Sequence, residues 1–169
     1  MEDNKEYEKW LELVEKEGSR LRQVPEELKT KEMCELAVSK NAWTLQYVPE
    51  ELRTPELCKI AVNRVGSALQ FVPEELRTKE LCEIAVNQVG SALEYVPENI
   101  KTMEMCEMAV KNNGMALGWV PEELKTYEMC ELAVEAWVYA LEFVPEEFQE
   151  ELAEKYDIKL PEKNTERGR

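Results

Sequence analysis

Hydrophobic and polar residues follow one another in the same order every 24 residues through most of this chain. The pattern is clearest between Thr54 and Arg77, where the first apolar residues form a stripe at helical spacing. The stripe comprises Leu57, Cys58, Ile60, Ala61, Val62 and Val65. It predicts an amphipathic helix of about twelve residues, with Thr54 as the N-cap and Pro55 in the first turn. We expect Gly66 to end this helix in a left-handed conformation.

A second, shorter apolar pattern follows in the same segment. Ala68, Leu69 and Phe71 are spaced to face inward from a short helix over residues 67–72. This helix must end before Pro73, because proline disfavours helical geometry at the preceding residue. One further turn is predicted over residues 73–77. Neither helix is long enough to be stable alone in water, so each must pack against its neighbours.

The whole pattern occurs five times, and each unit contains a pentapeptide close to Val-Pro-Glu-Glu-Leu, which we call the refrain. Repetition at a period between about 20 and 50 residues is typical of a solenoid. The sequence therefore predicts an all-α fold, an α-solenoid of five stacked units, each made of a helix, a short helix and a turn. Units one to five are residues 30–53, 54–77, 78–101, 102–125 and 126–149. Residues 1–29 and 150–169 are the helical caps, and we expect disorder from about Asp157 onward.

Cysteine recurs at one inward position of every unit. Equivalent residues of stacked helices lie about 8–10 Å apart, whereas a disulfide needs Cα atoms within about 7 Å. The short paired spacings of zinc sites are absent. We therefore expect free, buried thiols that serve as small core residues in a reducing compartment. The cysteines are Cys34, Cys58, Cys82, Cys106 and Cys130, and the inward aromatic position of the units is held by Tyr47, Phe71, Tyr95, Trp119 and Phe143.

The residue order within the units resembles that of a known family. The consensus reads Thr-x-Glu-Leu-Cys-x-x-Ala-Val-x-x-x-Gly-x-Ala-Leu-x-Phe/Tyr-Val-Pro-Glu-Glu-Leu, over roughly residues 24–149. It is similar to the units of an uncharacterised tandem-repeat family of bacteria, phages and large viruses. The resemblance implies an α-helical repeat and supplies no catalytic or binding residues. This chain departs from the consensus at Ala42 and Val138, which replace the glycine, and at Asn99-Ile100 in the refrain of unit three.

Residues suited to catalysis are missing or lack a catalytic context. There is no histidine, the six glycines form no phosphate-binding loop, and the refrain glutamates recur in every unit as a solvated face would. We therefore predict a protein that is not an enzyme, with no catalytic residues, no cofactor and no metal site. No apolar run approaches the roughly 18 residues needed to span a bilayer, and the charged N-terminus is unlike a secretory leader, so we expect a cytoplasmic protein.

The chain is strongly acidic, with 36 acidic and 21 basic residues and a net charge of −15. Such a charge repels nucleic acid and anionic membranes, and it favours a protein partner with a basic surface. Alternatively, the charge serves only solubility. The outward positions of the first helices collect carboxylates that stacking would align into a strip, which we call the helix ridge. Its candidate binding residues are Glu32, Glu35, Glu80, Glu83, Glu104, Glu107, Glu128 and Glu131.

Large residues at positions that are otherwise small or polar are the second group of binding candidates. Tryptophan and tyrosine contribute strongly to protein interfaces, so these residues are candidate contact anchors. They are Trp43, Met115, Tyr127, Trp137 and Tyr139. In the alternative interpretation, Trp137 and Tyr139 seal the last unit against its cap, and Trp43 seals the first. The basic residues after the refrain partly offset its glutamates, and one interpretation is that they pair locally, which contributes little energy.

Three functional hypotheses follow from these features. The first is a non-enzymatic protein-interaction module with an acidic binding face. The second is an acidic antagonist that mimics nucleic acid and blocks a basic nucleic-acid-binding protein, as a phage inhibitor would. The third is a structural spacer or scaffold. In each case we expect a monomer, and end-to-end association remains open.

Overall fold

The computed structural model of the chain describes residues 2–160, with side chains from Lys5 onward. Within that range the chain forms seven α-helices, eleven 3₁₀ helices and no strand. Consecutive units pack side by side around one continuous core, so the predicted α-solenoid is confirmed. The α-helices are α1 (Glu2–Lys16), α2 (Lys31–Lys40), α3 (Pro55–Arg64), α4 (Lys79–Gln88), α5 (Met103–Asn112), α6 (Tyr127–Ala136) and α7 (Glu146–Lys155).

The first helix of each unit begins as expected and ends earlier than expected. In unit two, the Thr54 hydroxyl accepts a hydrogen bond from the Leu57 amide at 3.3 Å, which satisfies one free N–H of the first turn. The helix is ten residues long and ends at Val65, whose φ of −147° is extended. The expectation of a left-handed Gly66 was wrong, because no glycine within residues 2–160 has a positive φ.

The glycine is required by packing between units instead. A Cβ atom on Gly66 would lie 2.6 Å from the carbonyl oxygen of Ala85 on α4 and 3.0 Å from the Cβ of Gln88. Gly114 lies equally close to Ala133 on α6. The first helix of one unit thus rests directly on the backbone of the unit before it, and a side chain would push the two apart.

The second helix of each unit is a 3₁₀ helix of six residues, held between an extended residue and the residue before a proline. Such short pieces favour 3₁₀ geometry. These helices are Ala42–Tyr47, Gly66–Phe71, Gly90–Tyr95, Gly114–Trp119 and Val138–Phe143. The refrains of units one to four form three-residue 3₁₀ turns, Glu50–Leu52, Glu74–Leu76, Glu98–Ile100 and Glu122–Leu124. The N-terminal cap has the same element order, with 3₁₀ helices Gly18–Gln23 and Glu26–Leu28 after α1.

The core holds the small residues that the repeat predicted. All five cysteines are free and fully buried, as expected. One inward assignment was wrong, since Ile60 is 41% exposed on the outer side of α3. The recurring aromatic residues pack against the margin of the core and remain half-buried.

The C-terminal cap differs from the expected one. Helix α7 begins at Glu146 inside the fifth refrain. In the other units a threonine after the refrain caps a new helix, whereas Glu150 stands at that position here, so the helix continues through it. It ends at Lys155, Asp157 beyond it has a φ of 54°, and the Ile158 amide donates to the carbonyl of Ala153 at 2.8 Å. Tyr156 and Asp157 form this turn, and residues 161–169 of the tail that we expected to be disordered lie outside the described residues.

Candidate functional site

Ion pairs neutralise part of the helix ridge. Lys31 lies 3.7 Å from Glu35, and Lys79 lies 3.7 Å from Glu83, each one turn along its own helix. Between units, Lys59 reaches Glu80 at 2.9 Å, and Lys155 of α7 pairs with Glu131 of α6. The hydrogen bond from Lys59 is the main reason why the pKa of Glu80 lies below its usual value. Four of the eight predicted carboxylates therefore already have a cationic partner within the chain.

The other four have no ion pair among the described side chains, and all four are exposed. They are Glu32, Glu104, Glu107 and Glu128. Glu104 accepts hydrogen bonds from its own amide and from Thr102, which lower its pKa. These residues lie on α2, α5 and α6, and Glu56 at the corresponding position of α3 is also exposed with no ion pair among the described residues, so the uncompensated charge of the ridge is interrupted at α4.

The basic residues after the refrains form the local ion pairs suggested by the sequence at Lys29, Lys101 and Lys125, and all five also bond to the backbone. Each lies beneath its refrain turn and donates to a backbone carbonyl 18 residues later, at the end of the next unit's 3₁₀ helix. Arg77, for example, donates to Val72 O at 2.8 Å and to Tyr95 O at 2.9 Å. The side chain of Lys101 is only 3% exposed and donates to Trp119 O at 2.7 Å. The full series is Lys29, Arg53, Arg77, Lys101 and Lys125.

This inward direction leaves the refrain side of the solenoid acidic. The first glutamate of the refrain pairs with the buried lysine in three turns, as in Lys101–Glu98 at 2.6 Å. The second glutamate is exposed in every case and has no ion pair among the described residues. We call this row the refrain edge, and it consists of Glu27, Glu51, Glu75, Glu123 and Glu147. Asn99 interrupts the row in unit three.

Open grooves run between successive refrains. One, of about 500 Å³, lies between units two and three and is lined by Glu74, Glu75, Arg77, Pro97, Asn99 and Ile100. Another, of about 720 Å³, lies between the fourth refrain and α7 and is lined by Glu122, Lys125, Pro145, Glu146, Glu147 and Glu150. Both are shallow and polar, so they suit an extended segment of a partner better than an enclosed small molecule.

The large residues have two kinds of environment. Trp43 stacks edge-on against Phe71 of the next unit at 5.9 Å, and Tyr127 stacks edge-on against Phe148 of α7 at 5.6 Å. Met115 is half-buried. Trp137 and Tyr139, in contrast, are 55% and 72% exposed, so they do not seal the last unit against its cap.

The thiols have no chemical role at the surface. Burial raises the pKa of each cysteine to about 11, and the nearby cation after the refrain offsets this only in part. Such thiols remain protonated and unreactive at neutral pH. Within residues 2–160, no three side chains are arranged to hold a metal ion. None of the helices described here is both long and apolar enough to cross a bilayer.

Comparison with known protein families gives one match. The model of a family described as a domain of unknown function (DUF4116) matches residues 8–53, 54–101 and 102–149. Each match covers two 24-residue units, and the first includes most of the N-terminal segment, which agrees with its repeat-like element order. The chain matches neither a curated protein nor a solved structure.

Proposed function

The chain belongs to the DUF4116 family of tandem repeats, and we propose that it is a non-enzymatic module that binds a partner protein with a basic surface. The refrain edge is the main contact, and the unpaired carboxylates of the helix ridge extend it. One observation carries the proposal: the basic residues beside the refrains are directed into the fold, so the five glutamates of the refrain edge, together with Glu50, Glu74 and Glu146, are exposed and have no ion pair among the described residues. A partner with lysine or arginine at a matching spacing would supply the missing charge.

Charge density favours a protein partner over mimicry of nucleic acid. Duplex DNA carries one negative charge per about 1.7 Å, or roughly six in each 10 Å. The refrain edge offers one uncompensated carboxylate per unit, Glu50, Glu74 and Glu146 add a second in units one, two and five, and stacked helices lie about 10 Å apart. Asn99 leaves a further gap in the row. The edge is thus several-fold less charged than a duplex.

The test compares two variants of equal charge. In the edge variant, Glu27, Glu51, Glu75, Glu123 and Glu147 are replaced by glutamine; the control replaces five exposed glutamates elsewhere, Glu6, Glu12, Glu15, Glu94 and Glu154. Proteins captured from an extract of the source cell are identified for the native chain and for both variants. We expect specific partners to be retained by the control and lost by the edge variant.

Other results would favour the other hypotheses. If a DNA or RNA oligonucleotide displaces the captured protein, the chain acts as an antagonist of a nucleic-acid-binding protein. If both variants capture the same proteins as the native chain, the refrain edge is not a binding surface and its charge serves solubility.

A further inference from the structure

The C-terminal end of the solenoid exposes three consecutive large apolar side chains, which we call the end face. They are Trp137, Val138 and Tyr139, with exposed fractions of 55%, 44% and 72%. At the preceding junctions the next first helix covers the position equivalent to Val138, as α4 covers Gly66. Helix α7 contacts α6 through Phe148 and Lys155 and leaves the end face in solvent. The position that the next first helix covers at the other junctions is therefore exposed to solvent at this one.

A further unit of the same kind does not fit this surface. Val138 holds the position at which Gly66 and Gly114 approach the carbonyl of the next helix. The junction after unit one accommodates one methyl group, because Ala42 occupies that position and is buried. Valine adds two more carbons, so a helix that docks here must lie farther out, where Trp137 and Tyr139 can contact its sides.

The chain's own remaining segments are poor occupants as well. Residues 161–169 contain no apolar side chain except Pro161, so they cannot cover two aromatic rings. From Lys5 onward, the exposed residues of α1 at the opposite end are charged, namely Lys5, Glu6, Glu8, Lys9, Glu12, Glu15 and Lys16. Head-to-tail contact would place these charges against the aromatic side chains. Contact between two end faces would bring together the exposed acids around them in two chains that each carry a net charge of −15.

We propose that the end face binds an amphipathic helix of a partner protein, with an apolar stripe flanked by lysine or arginine. The apolar stripe would cover Trp137 and Tyr139, which are residue types that dominate interface energetics. Glu135 and Glu142 flank the patch, are exposed, and have no ion pair among the described residues. Tyr139 and Glu142 lie on the same side of the 3₁₀ helix, which has three residues per turn. The proposal rests on the proposed function only in that the partner is basic.

The test uses a defined probe. It is a fluorescent synthetic peptide of about 18 residues, with leucine at positions i, i+3, i+4 and i+7 and lysine elsewhere. A peptide with serine in place of leucine has the same charge, and one with glutamate in place of lysine has the same apolar stripe. The protein variants are Trp137→Ser combined with Tyr139→Ser, and Ile60→Ser as a control at another exposed apolar residue. Urea unfolding checks that each variant is folded, and fluorescence anisotropy measures binding.

We expect the leucine–lysine peptide to bind the native chain and both control peptides to bind at least about tenfold more weakly. The double end-face variant should lose about tenfold or more in affinity, and Ile60→Ser less than about twofold. Equal binding of the serine peptide, or full affinity of the end-face variant, would overturn the proposal. A dimer in sedimentation that Trp137→Ser abolishes would overturn it too, in favour of a second copy as occupant.

The refrain-edge variant separates this proposal from the proposed function. It should keep its preference for leucine over serine in the peptide, because the end face is intact. If the edge variant loses its cellular partners while the end-face variant binds all peptides normally, the proposed function stands and the end-face inference fails. If the edge variant keeps its cellular partners while the end-face variant loses affinity for the leucine–lysine peptide, the end-face inference stands and the proposed function of the refrain edge fails.

Discussion

At the residue scale, the glycine that follows the first helix in units two to four has a packing role that the sequence did not predict. Glycine before a new element usually indicates a left-handed turn. Here Gly66 has an ordinary negative φ, and its missing side chain lets α4 approach the backbone. Of the two exceptions, Val138 agrees with this reason because no further unit follows it within the described residues, whereas the methyl group of Ala42 is accommodated against α3.

Gly66→Ala should therefore destabilise the protein. The new Cβ would lie 2.6 Å from Ala85 O, and overpacking of this kind costs about 1–3 kcal/mol, more than the roughly 0.4–1 kcal/mol that alanine gains by restricting the unfolded chain. Urea unfolding measures the difference. Val138→Ala is the control, because its side chain is exposed, and we expect a change below about 0.5 kcal/mol. If Gly66→Ala instead raises the free energy of unfolding, α4 can shift to accommodate the methyl group without an energetic cost.

At the element scale, the 3₁₀ helices depend on the cations beneath the refrains. Each ends with carbonyl groups that no further turn can satisfy, and a buried carbonyl without a donor is costly. Arg77 satisfies Val72 O in its own unit and Tyr95 O in the next, so it joins two short helices that could not persist alone. Gln149 holds the equivalent position in the last unit and donates to Val144 O at 2.7 Å.

We expect Arg77→Ala to lower the free energy of unfolding by about 2–4 kcal/mol, because it leaves two half-buried carbonyls without a charged donor. Arg77→Lys should cost only about 1 kcal/mol, since lysine makes the same bond to the next unit at Lys101. Chemical denaturation followed by circular dichroism gives both values. Lys79→Ala, which removes an exposed pair with Glu83, should change stability by less than about 0.5 kcal/mol. If Arg77→Ala lowers the free energy of unfolding no more than Lys79→Ala does, Arg77 does not stabilise the two 3₁₀ helices.

At the scale of the whole molecule, the net charge of −15 opposes the compact state. Several lysines are directed into the fold, so much of the exposed surface carries one sign of charge. Repulsion of this kind extends over about 30 Å at 0.01 M salt and over about 8 Å at 0.15 M.

The melting temperature should therefore rise with salt over this range, by about 2–5 °C as measured by calorimetry. The refrain-edge variant, which has five fewer negative charges, should show a smaller rise. A melting temperature that falls with salt would mean that attractive pairs such as Lys59–Glu80 dominate the electrostatics.

The sequence by itself determined the class of fold, the 24-residue unit, the threonine caps and the burial of the cysteines, because these follow from local periodicity and residue size. It also identified the large residues of the last unit as candidates. Only the tertiary structure decided which way Lys101 and Arg77 point, and hence which glutamates remain unpaired. It also decided that Tyr127 is packed under α7 while Trp137 and Tyr139 are exposed. These outcomes depend on contacts between residues 18 or more positions apart, which a repeating local pattern does not encode.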